Sequence, residues 1–157
     1  MTYLLNASTT EKTTRLYELS LSSNLSVSSG DVIVFDTLRS SSSGGLSYNT
    51  TTGVITLSAA YTYMLWASVD ITRSSTTGSF RVAFFNEATN TEIDVSGGGY
   101  DVTWNHDGGG IGTGNTTLQA HYVPSDDQLS NVTLRAPLVS GSANTNFSII
   151  IIESVIA

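Results

Sequence analysis

Four consecutive isoleucines stand near the end of the sequence, in the stretch Phe147-Ser148-Ile149-Ile150-Ile151-Ile152-Glu153-Ser154-Val155. Successive side chains of a β-strand point to opposite faces of a sheet, so this stretch is apolar on both faces. A two-layer sandwich offers each sheet only one core face. Each large apolar side chain left in water on the other face forgoes about 1.5–3 kcal/mol, and an exposed apolar strand favours aggregation. The stretch therefore predicts a strand with one face in the core and a second face that something else covers.

Two earlier segments have the same double-sided pattern. Tyr61 to Val69 (YTYMLWASV) has apolar residues at both alternating sets of positions, and Asp31 to Phe35 (DVIVF) contains four apolar residues in succession. Contact between subunits would cover the second face of such strands, and a loop or an N-terminal arm of the same chain is the alternative. We favour subunit contact, and the pattern leaves open which face of the closing strand takes part. The predicted interface residues are Ile33, Phe35, Tyr63, Leu65, Ile149, Ile150, Ile151 and Ile152.

The remaining sequence has the pattern of an all-β protein. Helical periodicity is almost absent, and short apolar segments recur between clusters of Gly, Ser, Asn and Asp, which predicts a sandwich or a barrel. We interpret residues 21–157 as one domain and residues 1–20 as an N-terminal arm. Turns are predicted at Asn49–Gly53 and Asn86–Asn90. The predicted strands are Leu16–Leu21, Asp31–Leu38, Leu46–Tyr48, Val54–Leu57, Tyr61–Thr72, Ser79–Glu87, Glu92–Val95, Val102–Trp104, Thr116–Val123, Leu129–Ala136 and Asn146–Val155.

Composition narrows the functional classes. The 157 residues include 13 Asp and Glu against 6 Lys and Arg, a formal net charge of −7, which argues against nucleic acid as a partner. Charged residues make up 12% of the chain, well below the usual share of about 25%. No apolar run reaches the roughly 20 residues of a membrane-spanning helix. The first residues lack the basic and apolar segments of a signal peptide. We therefore expect no membrane partner and a protein that is made in the cytoplasm.

The segment Tyr48 to Leu57 (YNTTTGVITL) resembles a motif of the C1q/TNF-like jelly-roll family, in which a Tyr-Asn turn and a Thr-Gly pair precede a short strand. The following Ser58 to Tyr63 is similar to the family's entry into its long central strand. Asn146-Phe147-Ser148 is similar to the start of its closing strand. The sequence departs from the family at Ala60 and Ile149, where the family has glycine.

This resemblance implies an all-β, ten-stranded jelly-roll sandwich that assembles as a compact homotrimer. In the family, the sheet that holds the first, central and closing strands lines the trimer axis. Those strands correspond to the segments that are apolar on both faces here. The pattern of the residues and the resemblance therefore lead to the same expectation, which is self-association into a trimer.

Groups that could carry out catalysis are few. The sequence has no cysteine and two histidines, His106 and His121. His106 precedes Asp107 in a glycine-rich loop, but metal ligation needs three or four converging ligands. We interpret both histidines as surface residues and Asp126-Asp127 as a turn, with calcium binding at this turn as the alternative. We expect no enzyme activity, no catalytic residue, no metal and no cofactor.

Aromatic residues beside the glycine-rich loops are candidates for recognition. Tyr100 and Trp104 flank these loops, and together with His106 they form a possible surface recognition site, such as a platform for sugars. Trp66, in the long central strand, is interpreted as a core residue.

Three functions agree with these observations. The first is a bacteriophage virion structural protein: a trimeric capsid decoration or cement protein on the capsid surface, assembled in the host cytoplasm and bound to the major capsid protein or other virion proteins. The second is the receptor- or glycan-binding tip of a phage tail fibre, and the third is a secreted C1q- or TNF-like ligand. We favour the first because the sequence combines a polar, weakly charged composition with no cysteine and no secretion signal. The N-terminal arm would clamp the capsid through Tyr3, Leu4, Leu5, Leu16, Tyr17 and Leu19.

Overall fold

All regular structure in the described part of the chain is β-strand. The computed structural model describes residues 14–40, 44–73, 77–93, 100–105, 113–122, 124, 130–141 and 143–155. Strands β1 to β13 are, in chain order, Thr14–Ser20, Leu25–Ser26, Asp31–Val32, Thr37–Ser40, Leu46–Tyr48, Ile55–Leu57, Tyr61–Arg73, Thr77–Asn86, Thr91–Glu92, Tyr100–Asn105, Thr113–Tyr122, Ser130–Ser140 and Ala143–Val155.

The strands form two antiparallel sheets. The first sheet has the order β11-β7-β13-β1-β4, with β2 beside β13. The second has the order β10-β8-β12-β6-β5, with β3 beside β12 and β9 beside β8. From β6 to β13 the chain passes repeatedly from one sheet to the other, which is the jelly-roll arrangement. The predicted all-β jelly-roll sandwich is confirmed, and the two five-stranded paths account for the ten strands that the resemblance implies.

The core lies between the sheets and is formed by alternate residues of the long strands. On β13, Phe147, Ile149 and Ile151 are fully buried, and the Phe147 ring lies 6.2 Å from the ring of Phe80 in the second sheet. On β7, alternation places Tyr63, Leu65, Ala67, Val69 and Ile71 in the core.

The first strand of the sandwich corrects the predicted N-terminal arm. Residues 14–20 form β1, which pairs with β13 along its whole length and with β4 at its C-terminal end. Tyr17 and Leu19 are buried in the core, so these two side chains cannot clamp a capsid. Leu16 is exposed, but it lies on the surface of the sheet. Tyr3, Leu4 and Leu5 lie outside the described residues.

The segment predicted as one strand over residues 31–38 forms two strands instead. β3 ends at Val32 and pairs with β12, whereas β4 begins at Thr37 and pairs with β1 in the other sheet. Between them, Ile33 N donates to Leu134 O at 2.9 Å and Phe35 N donates to Tyr48 Oη at 2.6 Å. These bonds satisfy the backbone while the chain crosses between sheets, so Ile33 and Phe35 are buried without belonging to a strand.

Two turns predicted from the sequence are present. Gly53 has φ +73°, and Asn49 Oδ1 accepts hydrogen bonds from the N–H groups of Thr51 and Thr52 at 2.9 and 3.1 Å. In the hairpin between β8 and β9, Asn90 has φ +52°, a conformation that asparagine tolerates better than most residues.

Candidate functional site

The first sheet has an apolar band on the face that is turned away from the core, which we call the outer face. Strand register places Met64, Ile152 and Leu16 opposite one another on β7, β13 and β1, and Trp66 opposite Ile150 in the adjacent row. Leu16 is 50% exposed and Ile150 is 39% exposed, whereas the other three side chains are partly buried. These five residues therefore form a contiguous, partly exposed apolar surface on this face.

Strand parity corrects the predicted interface. Ile150 and Ile152 lie on the outer face, as the prediction requires. The other six predicted residues are at most 1% exposed within a single chain, so they form the core and cannot contact a second subunit. On β7 and β13 the physical reason is the two-residue period of a strand, which puts neighbouring residues on opposite faces. Ile33 and Phe35 are buried instead where the chain crosses between the two sheets. The residues to which this correction applies are Ile33, Phe35, Tyr63, Leu65, Ile149 and Ile151.

A cavity of about 350 Å³ opens on the outer face where β11, β7 and β13 adjoin. It is lined by the apolar residues Trp66, Ala67 and Ile150 and by the polar residues Ser68, Gln119 and Ser148. Trp66 was interpreted from the sequence as a core residue, and the structure places it on this surface instead. Successive residues of a strand point to opposite faces of the sheet. Because Leu65 is in the core, Trp66 must lie on the outer face, and this alternation is the signal in the sequence that could have revealed its position.

The apolar band ends towards the C-terminal end of β7. The next row of the outer face contains Ser68 opposite Ser148, and the row after it contains Asp70 opposite Asn146. Towards the other edge of the same sheet, Glu18 of β1 stands opposite Arg39 of β4, so two charges of opposite sign are neighbours there. The outer face thus has an apolar region near the start of β7 and a polar region near its end.

A buried carboxylate lies on the core side of β13. Glu153 is 1% exposed, and its oxygens accept hydrogen bonds from Arg15 Nη1 at 2.7 Å, Gly45 N at 2.9 Å and Tyr17 Oη at 3.3 Å. The Arg15 guanidinium also lies over the Tyr61 ring, 5.5 Å from its centroid. This Glu153 cluster connects β1, β13 and the segment before β5 at the end of the sandwich where β7 begins.

Burial and the Glu153 charge act on two tyrosines of this region. Burial raises the pKa of the Tyr63 hydroxyl well above its ordinary value, and Glu153 raises it further. The pKa of Tyr17 is raised by the same two causes in the same order. Both hydroxyls therefore stay protonated at neutral pH. Tyr63 Oη can donate to Ser58 O at 3.2 Å while it accepts from Ser58 N at 3.0 Å.

The other predicted site residues are located only by the strands to which they belong. Tyr100 and Trp104 belong to β10, where they lie opposite Val82 and Gly78 in the register, and His121 of β11 lies opposite Met64. His106, Asp126 and Asp127 lie outside the described residues. In the described ranges, no group of three or more His, Asp or Glu side chains is arranged to hold a metal ion. The same ranges contain no helix with the length and hydropathy needed to span a bilayer.

No protein-family model matches the sequence, and no curated protein matches it. Similar solved structures include the globular domain of zebrafish complement 1qA protein, with 8% identity, a TM-score of 0.47 and coverage of 87% of this chain and 94% of that chain. PRD1 vertex protein P5 has 16% identity, a TM-score of 0.40 and coverage of 91% and 97%. Murine APRIL has 12% identity, a TM-score of 0.41 and coverage of 86% and 98%. With TM-scores below 0.5, the fold assignment rests on the strand order and the two-sheet core described above.

Proposed function

We propose that the protein is a homotrimeric structural protein of a bacteriophage virion, namely a capsid decoration or cement protein without enzyme activity. It is assembled in the host cytoplasm, lies on the capsid surface, and binds the major capsid protein or other virion proteins there. The observation that supports the proposal is the apolar band of the outer face, in which Leu16 and Ile150 are more than one-third exposed.

Self-association follows from the energetics of this band. Covering a large apolar side chain contributes up to about 1.5–3 kcal/mol. The band contains two side chains that are more than one-third exposed, Leu16 and Ile150, and three partly buried neighbours. A second and a third copy would remove these side chains from water together. A contiguous apolar patch of this kind is typical of an interaction surface.

The virion part of the proposal is supported by composition and by the direction of the chain. A surface with few charges and a net charge of −7 suits a shell protein better than a nucleic-acid-binding protein.

Thr14 pairs with Ser154, so β1 begins and β13 ends at one end of the sandwich, which we call the N-terminal end. Thr113 pairs with Thr72, so β11 begins at the opposite, distal end. Residues 1–13 would then attach the trimer to the capsid, with the distal end facing outward.

The native mass in solution tests self-association. We expect the purified protein to have three times the 16.6 kDa mass of one chain by light scattering. Ile150→Asp should reduce the mass to that of one chain, because it buries a charge in the contact. Leu138→Asp is the matched control, since Leu138 is 45% exposed but lies in β12 of the second sheet. A wild-type monomer would contradict the proposal, and so would equal loss of mass in both variants.

Binding to phage particles tests the virion role. Purified trimer, added to capsids that lack it, should bind in many copies over the shell and raise the temperature at which the capsids open. Electron microscopy of labelled protein distinguishes the alternatives by location. A few copies at the tail would overturn the decoration role and favour the tail-fibre function. Absence of binding to any part of the particle would overturn both virion functions.

A further inference from the structure

We propose that the apolar band of a single chain binds the segment Tyr3-Leu4-Leu5 of that same chain, and that association with other copies releases this segment for attachment to the capsid. The inference rests on the proposed function, because it requires self-association through the outer face. It adds the regulation of that face, since each chain carries a competitor for its own contact. Tyr3, Leu4 and Leu5 lie outside the described residues. The place where β1 begins, the reach of the connecting residues and their composition support the proposal.

The apolar band begins close to the point where residues 1–13 join the sandwich. Thr14, the first residue of β1, is paired with Ser154 of β13, and Leu16 follows two positions later on the same face. Leu16 is 50% exposed, which makes it more open than Ile150 at 39%. A chain that turns back over the outer face from Thr14 therefore passes directly above the more exposed part of the band.

The connecting residues are long enough for this return. The row of Trp66 and Ile150 lies four positions from the row of Thr14, which is about 13 Å along the strands. Trp66 is also two strands away from β1, about 10 Å across the sheet, so the direct distance over the face is about 16 Å. Leu5 precedes Thr14 by nine residues, which span about 30 Å when extended. Enough length remains for a turn.

The sequence separates an apolar segment from a polar connection. Residues 6–13 (NASTTEKT) contain no large apolar side chain, and their Asn, Ser and Thr residues favour turns. Tyr3-Leu4-Leu5 is the only run of large apolar residues before β1. In an extended segment the side chains of Tyr3 and Leu5 point to the same side. Both can therefore contact the band at once, and the cavity beside Trp66 has room for one of them.

The connection makes the segment a strong competitor at low protein concentration. A short flexible linker holds its ligand at an effective concentration on the order of millimolar, far above that of a second copy in dilute solution. Occupation of the band by the segment lowers the apparent affinity between copies in proportion to the fraction of chains whose band is free. A folded copy offers a larger apolar area than three residues, so association prevails as the protein concentration rises. The segment then becomes available to the capsid only in assembled protein.

Dilution of two variants tests this competition. Removal of residues 1–13 and the substitution Leu5→Asp should each lower, by about tenfold or more, the protein concentration at which half of the chains are associated, because the band is then free in the single chain. Thr9→Asp is the matched control, since it places the same charge in the polar connection, and it should leave this concentration unchanged. Light scattering over a dilution series measures the native mass. An unchanged or higher concentration in the two variants would overturn the proposal.

Iodide quenching of Trp66 fluorescence reports whether the segment covers the band. The substitution Trp104→Phe removes the second of the two tryptophans of the chain. In protein dilute enough to have the mass of one chain, removal of residues 1–13 should increase the quenching of Trp66, and Thr9→Asp should not change it. Equal quenching with and without residues 1–13 contradicts the proposal, whether the band is open in both proteins or covered by a small ligand.

The outcomes separate the inference from the proposed function. Self-association that is equally strong with and without residues 1–13 leaves the proposed function intact and refutes the competition. Weaker association after their removal would show that the segment contacts a neighbouring copy, which also refutes it. A native mass of one chain at every concentration, in the full-length and the truncated protein, overturns the proposed function and the release step together.

Discussion

At the scale of single residues, two glutamates show how burial changes the importance of an ion pair. Glu153 Oε1 lies 2.7 Å from Arg15 Nη1, and Glu92 Oε2 lies 2.6 Å from Arg81 Nη2. The side chain of Glu153 is 1% exposed, whereas that of Glu92 is 33% exposed. Solvent screens the second pair and leaves it a small contribution. Removal of the first carboxylate would leave Gly45 N without its charged acceptor inside the protein.

Substitution of the two glutamates should therefore have unequal effects. We expect Glu153→Gln to lower the free energy of unfolding by more than Glu92→Gln does, because it removes the charge from a buried carboxylate that accepts hydrogen bonds from Arg15, Tyr17 and Gly45. Glu92→Gln should lower it by about 1 kcal/mol or less. Urea unfolding followed by circular dichroism measures both values, at a protein concentration where the native mass is equal for the two variants. Equal losses would contradict the assignment of Glu153 to a buried cluster.

Asp36 provides a prediction that depends on pH. Its carboxylate accepts hydrogen bonds from Ser22 Oγ, from Ser22 N at 3.0 Å and from Thr37 Oγ1 at 2.9 Å. The Ser22 hydroxyl is the largest of the causes that hold the pKa of Asp36 below its ordinary value. Because the pKa of Asp36 is lower in the folded protein than in the unfolded chain, these hydrogen bonds stabilise the fold fully at pH values above the unfolded-state pKa of Asp36. This stabilisation is lost as the pH falls through the pKa of Asp36 in the folded protein.

We expect Ser22→Ala to raise the pKa of Asp36 towards its ordinary value. The change removes one hydrogen bond that stabilises the ionised form. An NMR titration of the Asp36 side-chain carboxyl measures the shift, with Ser23→Ala as a control at the adjacent exposed position. A pKa of Asp36 that is the same in both variants would show that Ser22 does not hold it down.

At the scale of elements, β13 has a different role on each of its faces. Ile149 and Ile151 are fully buried between the sheets, whereas Ile150 and Ile152 lie on the outer face. We expect Ile149→Ala or Ile151→Ala to lower the free energy of unfolding by about 2–5 kcal/mol, because each leaves a core cavity. Ile150→Ala should cost about 1 kcal/mol in the dissociated chain but should weaken self-association.

Unfolding in urea at low protein concentration, together with native mass at high concentration, measures these two effects separately. Val132→Ala is a control for a core residue of the second sheet, since Val132 is fully buried in β12. It should lower stability without altering the affinity between folded copies. The reverse pattern, with Ile149 controlling association and Ile150 controlling stability, would refute the strand parity.

The same strand shows how far the sequence determines the fold. Alternating or continuous β-branched and aromatic residues favour sheets, and they predicted strands at Asn146–Val155 and Tyr61–Thr72, close to the observed Ala143–Val155 and Tyr61–Arg73. A run of four isoleucines, however, contains no difference between its two faces. Which isoleucines face the core is determined by the neighbouring strand in the fold. Tyr63 and Leu65 of β7 point into the core, and pairing with β7 places Ile149 and Ile151 on the same face.

The outer-face site was predictable only in part for the same reason. Sequence reasoning identified the closing and central strands as apolar on both faces, and it included Ile150 and Ile152. It could not find the cavity, because the cavity depends on Gln119 and Ser148 standing beside Trp66 across three strands. It also assigned β1 to an arm, since Tyr17 and Leu19 become core residues only when β1 pairs with β13.

At the scale of the whole molecule, the sandwich has two ends with different connections. Thr14 and Ser154 are paired at the N-terminal end, close to the Glu153 cluster. Thr72 and Thr113 are paired at the distal end, where β7 ends and β11 begins. A force on residues 1–13 would act on β1 along its direction, and seven residue pairs with β13 would resist it together. If residues 1–13 attach the protein to a particle as proposed, the whole length of β1 would therefore carry the load.

Two truncations distinguish the attachment segment from the sandwich. Removal of residues 1–13 should leave the trimer folded, because every residue pair of β1 with β13 and β4 remains. If these residues hold the capsid, their removal should also reduce particle binding at least tenfold. Removal of residues 1–20 should instead yield aggregated protein, since it deletes Tyr17 and Leu19 from the core and exposes the edge of β13. Light scattering, circular dichroism and co-sedimentation with particles measure these outcomes. Full particle binding by the shorter truncation would mean that the folded trimer makes the contact through its own surface.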